Sequence, residues 1–242
     1  MHQQLLEKMT TMRLLGMKRA FAETLQAGAI SYTPDELIAY LLDAEWDDRH
    51  NRKIERLTRT ARFRYQANLE ELIFDESRNL DQNLVHRLAT CDFIKKAQNI
   101  LITGSTGVGK SYLISALGHQ ACHLGFRVRY ANINRLFTQL KMAKADGSYL
   151  KMIARIEKQD LLILDDFGIK PIDQVKSHFL LEIIEDRHGK RSTIIASQIP
   201  VSAWHQTISE STLADAILDR IVHQAHRIDL KGDSLRKRNL KN

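Results

Sequence analysis

A glycine-rich octapeptide, GSTGVGKS, occupies residues 104–111 and has the residue types and spacing needed to hold phosphate groups. Gly104, Gly109, Lys110 and Ser111 satisfy the pattern G-x-x-x-x-G-K-[ST]. In this pattern consecutive backbone N–H groups wrap phosphate oxygens at the start of a helix. An apolar run at residues 100–102 precedes the loop and an apolar-periodic segment follows it. A strand, a loop and a helix are therefore predicted, in preference to a chance glycine turn.

The loop predicts a site for ATP with Mg²⁺. Lys110 is expected to reach the β- and γ-phosphates and the Ser111 hydroxyl to bind Mg²⁺, because a triphosphate needs its charge neutralised along its whole length. The residues predicted to contact the nucleotide are Gly104, Ser105, Thr106, Gly107, Val108, Gly109, Lys110, Ser111 and Tyr112.

Two adjacent acids follow a second apolar run. In LLILDDFG, four apolar residues at 161–164 directly precede Asp165 and Asp166 and predict a buried strand with the two carboxylates at its C-terminal tip. Ligands of parallel sheets bind at that end of the strands. Asp165 is predicted to hold Mg²⁺ and Asp166 to orient the attacking water as catalytic base. The alternative is that the two acids cap the following turn. A further strand, STIIAS, ends near Gln198, whose side chain is predicted to sense the γ-phosphate.

The elements that position these residues indicate an α/β protein. Strands and helices alternate beyond residue 95, which predicts a parallel sheet covered on both faces. Residues 29–103 contain no glycine and one proline, Pro34, so they are predicted to be helical. Thr33, Pro34 and Glu36 form a capping box at the start of the longest helix. We predict a helical N-terminal domain over residues 1–78 and an ATPase domain over 79–242.

Composition favours a polyanionic partner and a reducing compartment. The 242 residues include 36 Lys and Arg against 29 Asp and Glu, a formal charge of +7, which makes nucleic acid the first candidate partner. Cys91 and Cys122 are the two cysteines and provide no disulfide framework. The sequence has no 18-residue apolar run, so a cytoplasmic protein with no membrane partner is expected.

A basic stripe is predicted on the long N-terminal helix. Its residues recur at helical spacing and suit DNA phosphates without reading bases. They are Arg49, Arg52, Lys53, Arg56 and Arg59. The alternative is a solvated helix face, which usually places acids four residues from its bases.

Together these motifs resemble the AAA+ ATPases, specifically the DnaC/IstB branch and within it the IstB-type transposition helper ATPases. The segments RLLGMKRAF, LLDAEWDDRHNRKIERL, ADGSYLKMI, LEIIEDRHGKRSTIIASQIP and HQAHRIDLKGDSLRK carry the resemblance over nearly the whole chain. It implies an ATPase that assembles on double-stranded DNA, remodels it, and recruits and stimulates a partner transposase for target-site insertion. It also implies homo-oligomers with the ATP site at the subunit interface.

The resemblance assigns further residues. It matches Arg220 to an arginine finger that a neighbouring subunit inserts to neutralise the γ-phosphate, worth about 10³ to 10⁵ in rate. The alternative is that Arg220 pairs with Asp219 or Asp215 on its own surface. The resemblance also implies DNA contacts from residues 134–147, through Arg135, Lys141 and Lys144.

Three departures from the family pattern carry expectations of their own. Many AAA+ proteins have Glu at the position of Asp166 and Asn at the position of Gln198, so slow hydrolysis is expected. After the last predicted strand, residues 231–242 are too few for a helical lid, so the lid is expected to be reduced or absent. A sensor role for Arg236 therefore stays open.

Other functions share parts of this pattern. A replicative helicase loader has the same ATPase core with a different partner. A small-molecule kinase shares the phosphate-binding loop, although the basic helix and the lack of a distinct lid region argue against it. A DNA-binding scaffold with a structural nucleotide is the third alternative.

Overall fold

The structure is a computed structural model that describes residues 1–27 and 32–235. Its chain divides into two compact units, Met1–Arg56 and Leu57–Asn242. Arg236, to which no role was assigned, lies outside the described residues, as do Lys237 and Arg238.

The first unit is helical, as predicted. Its helices are α1 (His2–Thr11), α2 (Leu15–Gln26) and α3 (Pro34–Ala61), which continues past Arg56. The capping box at the start of α3 forms: the Glu36 N–H donates to Thr33 Oγ1 at 3.4 Å, and the Thr33 N–H donates to the Glu36 carboxylate at 2.8 Å. A cap of this kind stabilises a helix by about 1 kcal/mol. Among the helices of the described residues, none is both long and apolar enough to cross a membrane.

The second unit alternates helices and strands around a parallel sheet. Its helices are α4 (Gln82–Ala89), α5 (Asp92–Lys95), α6 (Lys110–His123), α7 (Ile133–Ala145), α8 (Tyr149–Glu157), α9 (Gln174–Arg187), α10 (Trp204–Thr207) and α11 (Ser211–Val222). Short 3₁₀ turns lie at Leu69–Glu71, Glu76–Arg78 and Val201–Ala203. Its strands are β1 (Ile100–Gly104), β2 (Val128–Asn132), β3 (Leu161–Phe167), β4 (Ser192–Ser197) and β5 (His226–Leu230).

The strands of the described residues are parallel and lie in the order β2, β3, β4, β1, β5. This arrangement confirms the predicted α/β fold. In the described residues only 231–235 follow β5, and no helical lid is found there.

Side chains of a strand point alternately to the two faces of the sheet, and helices cover both faces, so both are buried. One face packs against α6 through Ile100 and Ile102 of β1. The other face, which includes Leu101, packs against α7, α9 and α11. The continuous apolar runs that identified β1, β3 and β4 reflect this double burial.

The division between the units falls earlier than the domain boundary predicted at 78/79. The sequence predicts that residues 57–78 belong to the N-terminal domain, because residues 29–103 contain no glycine and one proline. In the structure Ala61 and Leu72 are buried in the same core as α6, and the Phe63 ring lies 4.3 Å from the His119 ring. We call residues 62–78, which follow α3, the linker.

Candidate nucleotide-binding site

The phosphate-binding loop connects β1 to α6, as the sequence predicts. Gly107 has φ 87° and Gly109 has φ 99°, in the left-handed region that favours glycine. The loop thereby turns into the first residue of α6, Lys110, with Ser111 in the first helical turn. The unpaired N–H groups and positive dipole at the start of a helix of this length attract anions.

Lys110 is held against the loop. Its side chain is largely buried, and Nζ donates to the carbonyl oxygens of Gly104 at 2.7 Å and Ser105 at 2.8 Å. Two directed bonds fix the ammonium group beside the loop that the sequence assigns to phosphate.

Asp165 and Asp166 lie inside β3, at an irregularity near its end. The strand ends at Phe167, so the two acids lie at its C-terminal tip, as predicted. Its register against β4 shifts between Leu164 and Phe167, and Asp166 adopts a left-handed backbone conformation with φ 63°. The turn directs consecutive acids to one place, where the Asp166 N–H donates to Asp165 Oδ1 at 2.8 Å.

Two neutral side chains from β2 hold these acids. The Tyr130 hydroxyl donates to Asp165 Oδ2 at 2.5 Å, and Asn132 Nδ2 donates to Asp166 Oδ2 at 2.7 Å. Sequence reasoning missed both residues. A signal was present, because polar residues at the carboxyl end of a strand that neighbours β3 must reach the same edge of the sheet.

A cation from the linker also reaches the acids. Arg64 Nη1 lies 3.8 Å from Asp165 Oδ2 and 3.6 Å from Asp166 Oδ2. Sequence reasoning missed Arg64, because nothing local in the sequence connects it to Asp165 and Asp166.

Burial and charge set the proton affinity of the site. Burial and then the neighbouring Asp165 charge raise the pKa of Asp166 above its usual range. The charges of Arg64 and Lys110 and the Asn132 hydrogen bond oppose that rise. Lys110 and Asp166 are thus close enough to interact, which brings the loop and the acids into one site. Burial, then the Asp165 charge, also raises the pKa of Tyr130, so its hydroxyl stays protonated as a donor.

Gln198 lies at the same edge of the sheet. Its Oε1 accepts a hydrogen bond from Thr106 Oγ1 at 2.6 Å, which places the Gln198 side chain beside the loop. Tyr112 contacts the linker, since its hydroxyl accepts from the Asn68 N–H at 3.3 Å and donates to Glu71.

The donor set at this edge fits Mg²⁺. A hydroxyl from Ser111 and the buried carboxylate of Asp165 are hard oxygen donors, which Mg²⁺ prefers together with phosphate oxygens and water. Ser111 and Asp165 are the residues that would hold the ion.

Arg220 lies near the amino ends of the strands, at the opposite end of the sheet from the phosphate-binding loop. Asn99, which directly precedes β1, donates through Nδ2 to the Arg220 carbonyl oxygen at 3.3 Å. The β1 strand rises about 3.3 Å per residue, so its five residues put about 16 Å between that edge and the loop. Arg220 Nη2 pairs with Glu185 Oε1 at 3.1 Å. The expected alternatives, Asp219 and Asp215, are not its ion-pair partners within the described chain.

A cavity of about 500 Å³ adjoins Arg220. Its wall contains four Lys or Arg side chains and one acid: Lys96, Arg187, Arg191, Arg220 and Asp219. Arg191 pairs with Asp160 and Arg187 donates to oxygens of its own chain, so much of this basic charge is already bonded internally.

The predicted basic stripe on α3 is partly neutralised. Arg49 Nε pairs with Glu45 at 2.6 Å, and Arg52 Nη2 pairs with Asp48 at 2.6 Å. Both acids lie four residues before their partners, which is the pattern of the solvated-face alternative. Lys53 and Arg59 are exposed, and no ion pair of either is found in the described residues. Arg56, also exposed, completes the stripe.

The second predicted basic group lies on α7. Arg135 and Lys141 are exposed there. Lys144 Nζ lies 5.9 Å from the Tyr149 ring centre and 5.7 Å from that of Phe179, so it makes cation–π contacts on its own chain.

Comparisons with known proteins agree with the site and the fold. A family model described as IstB-like ATP binding protein matches residues 7–242. The putative insertion sequence ATP-binding protein y4pL of Sinorhizobium fredii is 46% identical over 233 residues, 96% of this chain and 95% of that protein. The insertion sequence IS1162 putative ATP-binding protein of Pseudomonas fluorescens is 43% identical, over 87% of this chain and 100% of that protein. The DnaC helicase loader crystal structure superposes with a TM-score of 0.58 at 22% identity, covering 69% of this chain and 98% of that one.

Proposed function

The chain belongs to the IstB-like ATP binding protein family, and from this premise we propose that it is the ATPase helper of an insertion sequence. It hydrolyses ATP with Mg²⁺, assembles on and remodels double-stranded DNA, and recruits and stimulates a partner transposase in the cytoplasm. The names of the relatives that are 46% and 43% identical support the link to insertion sequences. The observation that carries the proposal is the joint placement of the loop, Lys110 and the Asp165–Asp166 pair at one edge of the sheet.

The residues of this edge divide the work of hydrolysis. Phosphoryl transfer needs placement and charge neutralisation more than covalent help. Lys110 neutralises phosphate charge, and Asp166, whose carboxylate is fixed by Asn132, orients the water. Ser111 and Asp165 would hold Mg²⁺, which would supply further neutralisation of phosphate charge. Gln198 approaches the γ-phosphate from β4 beside Thr106.

Hydrolysis is slow in this proposal. The Asp166 side chain is one methylene shorter than Glu, and Gln198 is one methylene longer than Asn. Both changes move the groups that position water, and misplacement of about 1 Å costs about 10² in rate.

Arg220 acts on the ATP of another copy of the chain. The strand length separates it from its own loop by about 16 Å. A contact that joins the loop edge of one copy to the Arg220 edge of the next uses two different surfaces, so it is heterologous and generates rings or open filaments. The basic cavity beside Arg220 suits the phosphate end of the neighbouring site.

DNA phosphates are bound by the exposed bases of α3 and α7. Lys53 and Arg59 on α3, with Arg135 and Lys141 on α7, offer charges that the described chain does not pair with acids. The excess of Lys and Arg over acids, 36 against 29, supports a polyanionic partner.

Pull-down experiments separate this function from the helicase-loader alternative. The tagged protein on double-stranded DNA with ATP is offered, in parallel, the transposase encoded beside it and the host replicative helicase. We expect ATP-dependent retention of the transposase, which the Lys110→Ala variant loses. Retention of the helicase alone would replace the proposal by a loader.

The other two alternatives are separated by following γ-labelled ATP. Release of free phosphate supports an ATPase, and label on a small acceptor would support a kinase. Undetectable turnover with DNA present would support a scaffold with a structural nucleotide.

A further inference from the structure

The Arg64 side chain approaches both acids of the nucleotide site from the linker. Its Nη1 lies within 4 Å of Asp165 Oδ2 and of Asp166 Oδ2. Both distances are longer than a hydrogen bond, so charge attraction rather than directed bonding joins the guanidinium to the two carboxylates. The guanidinium also hydrogen-bonds the Tyr130 side chain. The Arg64 side chain is 42% exposed, whereas that of Asp165 is 1% exposed. A partly hydrated cation thus faces a buried anion.

We infer that Arg64 is a built-in counter-ion of the acid pair, which competes with Mg²⁺ for Asp165 and Asp166. The inference rests on the proposed function, in which these acids serve Mg²⁺ and ATP. Binding of a divalent cation then displaces the guanidinium, and Arg64 sets the metal concentration that the site requires.

The side chains that hydrogen-bond the acid pair are neutral, so positive charge reaches the pair from Arg64 and, at Asp166, also from Lys110. Tyr130 and Asn132 donate hydrogen bonds to the two carboxylates but bring no charge. Two adjacent carboxylates in a buried place repel each other, and each is costly to desolvate unless a cation is near. Arg64 supplies one positive charge to both oxygens at once, and a divalent cation would supply two.

The backbone on both sides of Arg64 is anchored, so its side chain is free to swing alone. The Phe63 ring packs beside the His119 ring at 4.3 Å. The carbonyl oxygen of Tyr65 lies 3.1 Å from His119 Nε2. The guanidinium also lies 5.5 Å from the Tyr65 ring centre, a cation–π contact that does not depend on the acids. Displacement by a metal therefore requires a rotamer change and no unfolding of the linker.

Metal binding without nucleotide tests the inference directly. Mn²⁺ serves as a spectroscopic substitute for Mg²⁺ at hard oxygen sites, and its free concentration is read by electron paramagnetic resonance. Arg64→Gln should bind Mn²⁺ about tenfold more tightly than the parent, the size expected for a partly exposed charge pair. The matched control is Arg62→Gln, which removes the same charge from the same linker and should stay within about twofold of the parent. Equal or weaker Mn²⁺ binding by Arg64→Gln would overturn the inference.

A second variant guards against a folding defect. Arg64→Lys keeps the charge on a shorter side chain, so Mn²⁺ binding should tighten by a smaller factor than in Arg64→Gln. Circular dichroism and thermal melting establish that each variant is folded. Loss of folding in both variants would show a structural role and contradict a displaceable counter-ion.

Nucleotide binding by the same preparations separates this inference from the proposed function. If the parent binds ATP and Mn²⁺ affinity does not respond to Arg64, the counter-ion is wrong and the ATPase proposal stands. If Arg64→Gln tightens Mn²⁺ but the parent binds no nucleotide, the counter-ion stands and the ATPase proposal fails.

Discussion

The edge of the sheet at the carboxyl ends of its strands (the carboxyl edge) and the edge at their amino ends (the amino edge) differ in how their charged groups are held. At the carboxyl edge, Lys110 and Asp165 are buried and bonded to several groups of their own chain. At the amino edge, Arg220 makes one ion pair with Glu185, whose side chain is 58% exposed. Such a surface pair contributes about 0 to 1 kcal/mol, so in the proposed assembly a phosphate from another copy would replace the Glu185 carboxylate at little cost. The carboxyl edge is therefore preorganised for nucleotide, whereas the role proposed for the amino edge requires a second copy of the chain.

The largest expected effect comes from a substitution that disrupts nucleotide binding at the carboxyl edge and leaves the amino edge intact. Lys110→Ala should weaken ATP binding by about 100-fold or more, and hydrolysis should disappear with it, because a charge-assisted contact to phosphate is lost. Titration with a fluorescent ATP analogue measures the affinity. Arg220→Ala is the control and should bind nucleotide like the parent. Equal affinity in Lys110→Ala and the parent would refute the assignment of the loop.

The next largest effect comes from a substitution that removes the arginine of the amino edge and leaves the carboxyl edge intact. Arg220→Ala should retain nucleotide affinity but lose about 10³ in the rate of hydrolysis, because the arginine acts only in the transition state. Glu185→Gln, which removes its surface partner, should keep the parent rate. Steady-state phosphate release at saturating ATP measures both. An unchanged rate in Arg220→Ala would remove the amino edge from the mechanism.

A smaller effect concerns the basic stripe on α3, which belongs to neither edge. Lys53→Gln with Arg59→Gln should flatten the plot of log K against log salt by about 2 units on duplex DNA, since each phosphate contact contributes a slope of about −0.9. The matched control, Arg49→Gln with Arg52→Gln, removes equal charge from residues already paired with Glu45 and Asp48 and should change the slope less. Basal ATP hydrolysis should survive in both. Equal slopes in the two double variants would contradict the distinction.

The smallest effect tunes the carboxyl edge. Burial and the Asp165 charge raise the pKa of Asp166, and the Asn132 hydrogen bond opposes that rise. Asn132→Ala therefore raises the pKa of Asp166 further, so Asp166 becomes protonated at a higher pH during acidification. The acid limb of the hydrolysis rate against pH should move upward. Asn134→Ala is the comparison and should leave the limb in place, and a downward movement in Asn132→Ala would contradict the role of Asp166 as base.

Local sequence patterns predict the loop and the acid pair at the carboxyl edge, since each of these motifs lies within eight consecutive residues. The alternation of strands and helices predicts the parallel sheet but not the order of its strands. Tyr130, Asn132 and Arg64 were missed because their proximity to the acids depends on which strand neighbours β3 and on the path of the linker.

Long-range contacts also explain the other differences. The Glu185 partner of Arg220 comes from α9, which packs against α11 and is distant in sequence. The boundary between the units lies earlier than predicted because residues 57–78 share the core of α6. Helical composition alone does not show which core a segment joins. The Glu45 partner of Arg49 was within reach of sequence reasoning, because it lies at i−4, one turn before the stripe begins.

The central claim, that one ATP site combines the carboxyl edge of one copy with the amino edge of another, is tested most directly by mixing two inactive variants. Asp166→Asn retains Arg220 but lacks the base, and Arg220→Ala retains the base but lacks the arginine. Random assembly at equal amounts joins an intact pocket to an intact arginine at about a quarter of the heterologous junctions. The account predicts that hydrolysis recovers to about a quarter of the parent rate when mixed oligomers form. No recovery at any mixing ratio, with mixed oligomers verified by differential labelling, would contradict a shared site.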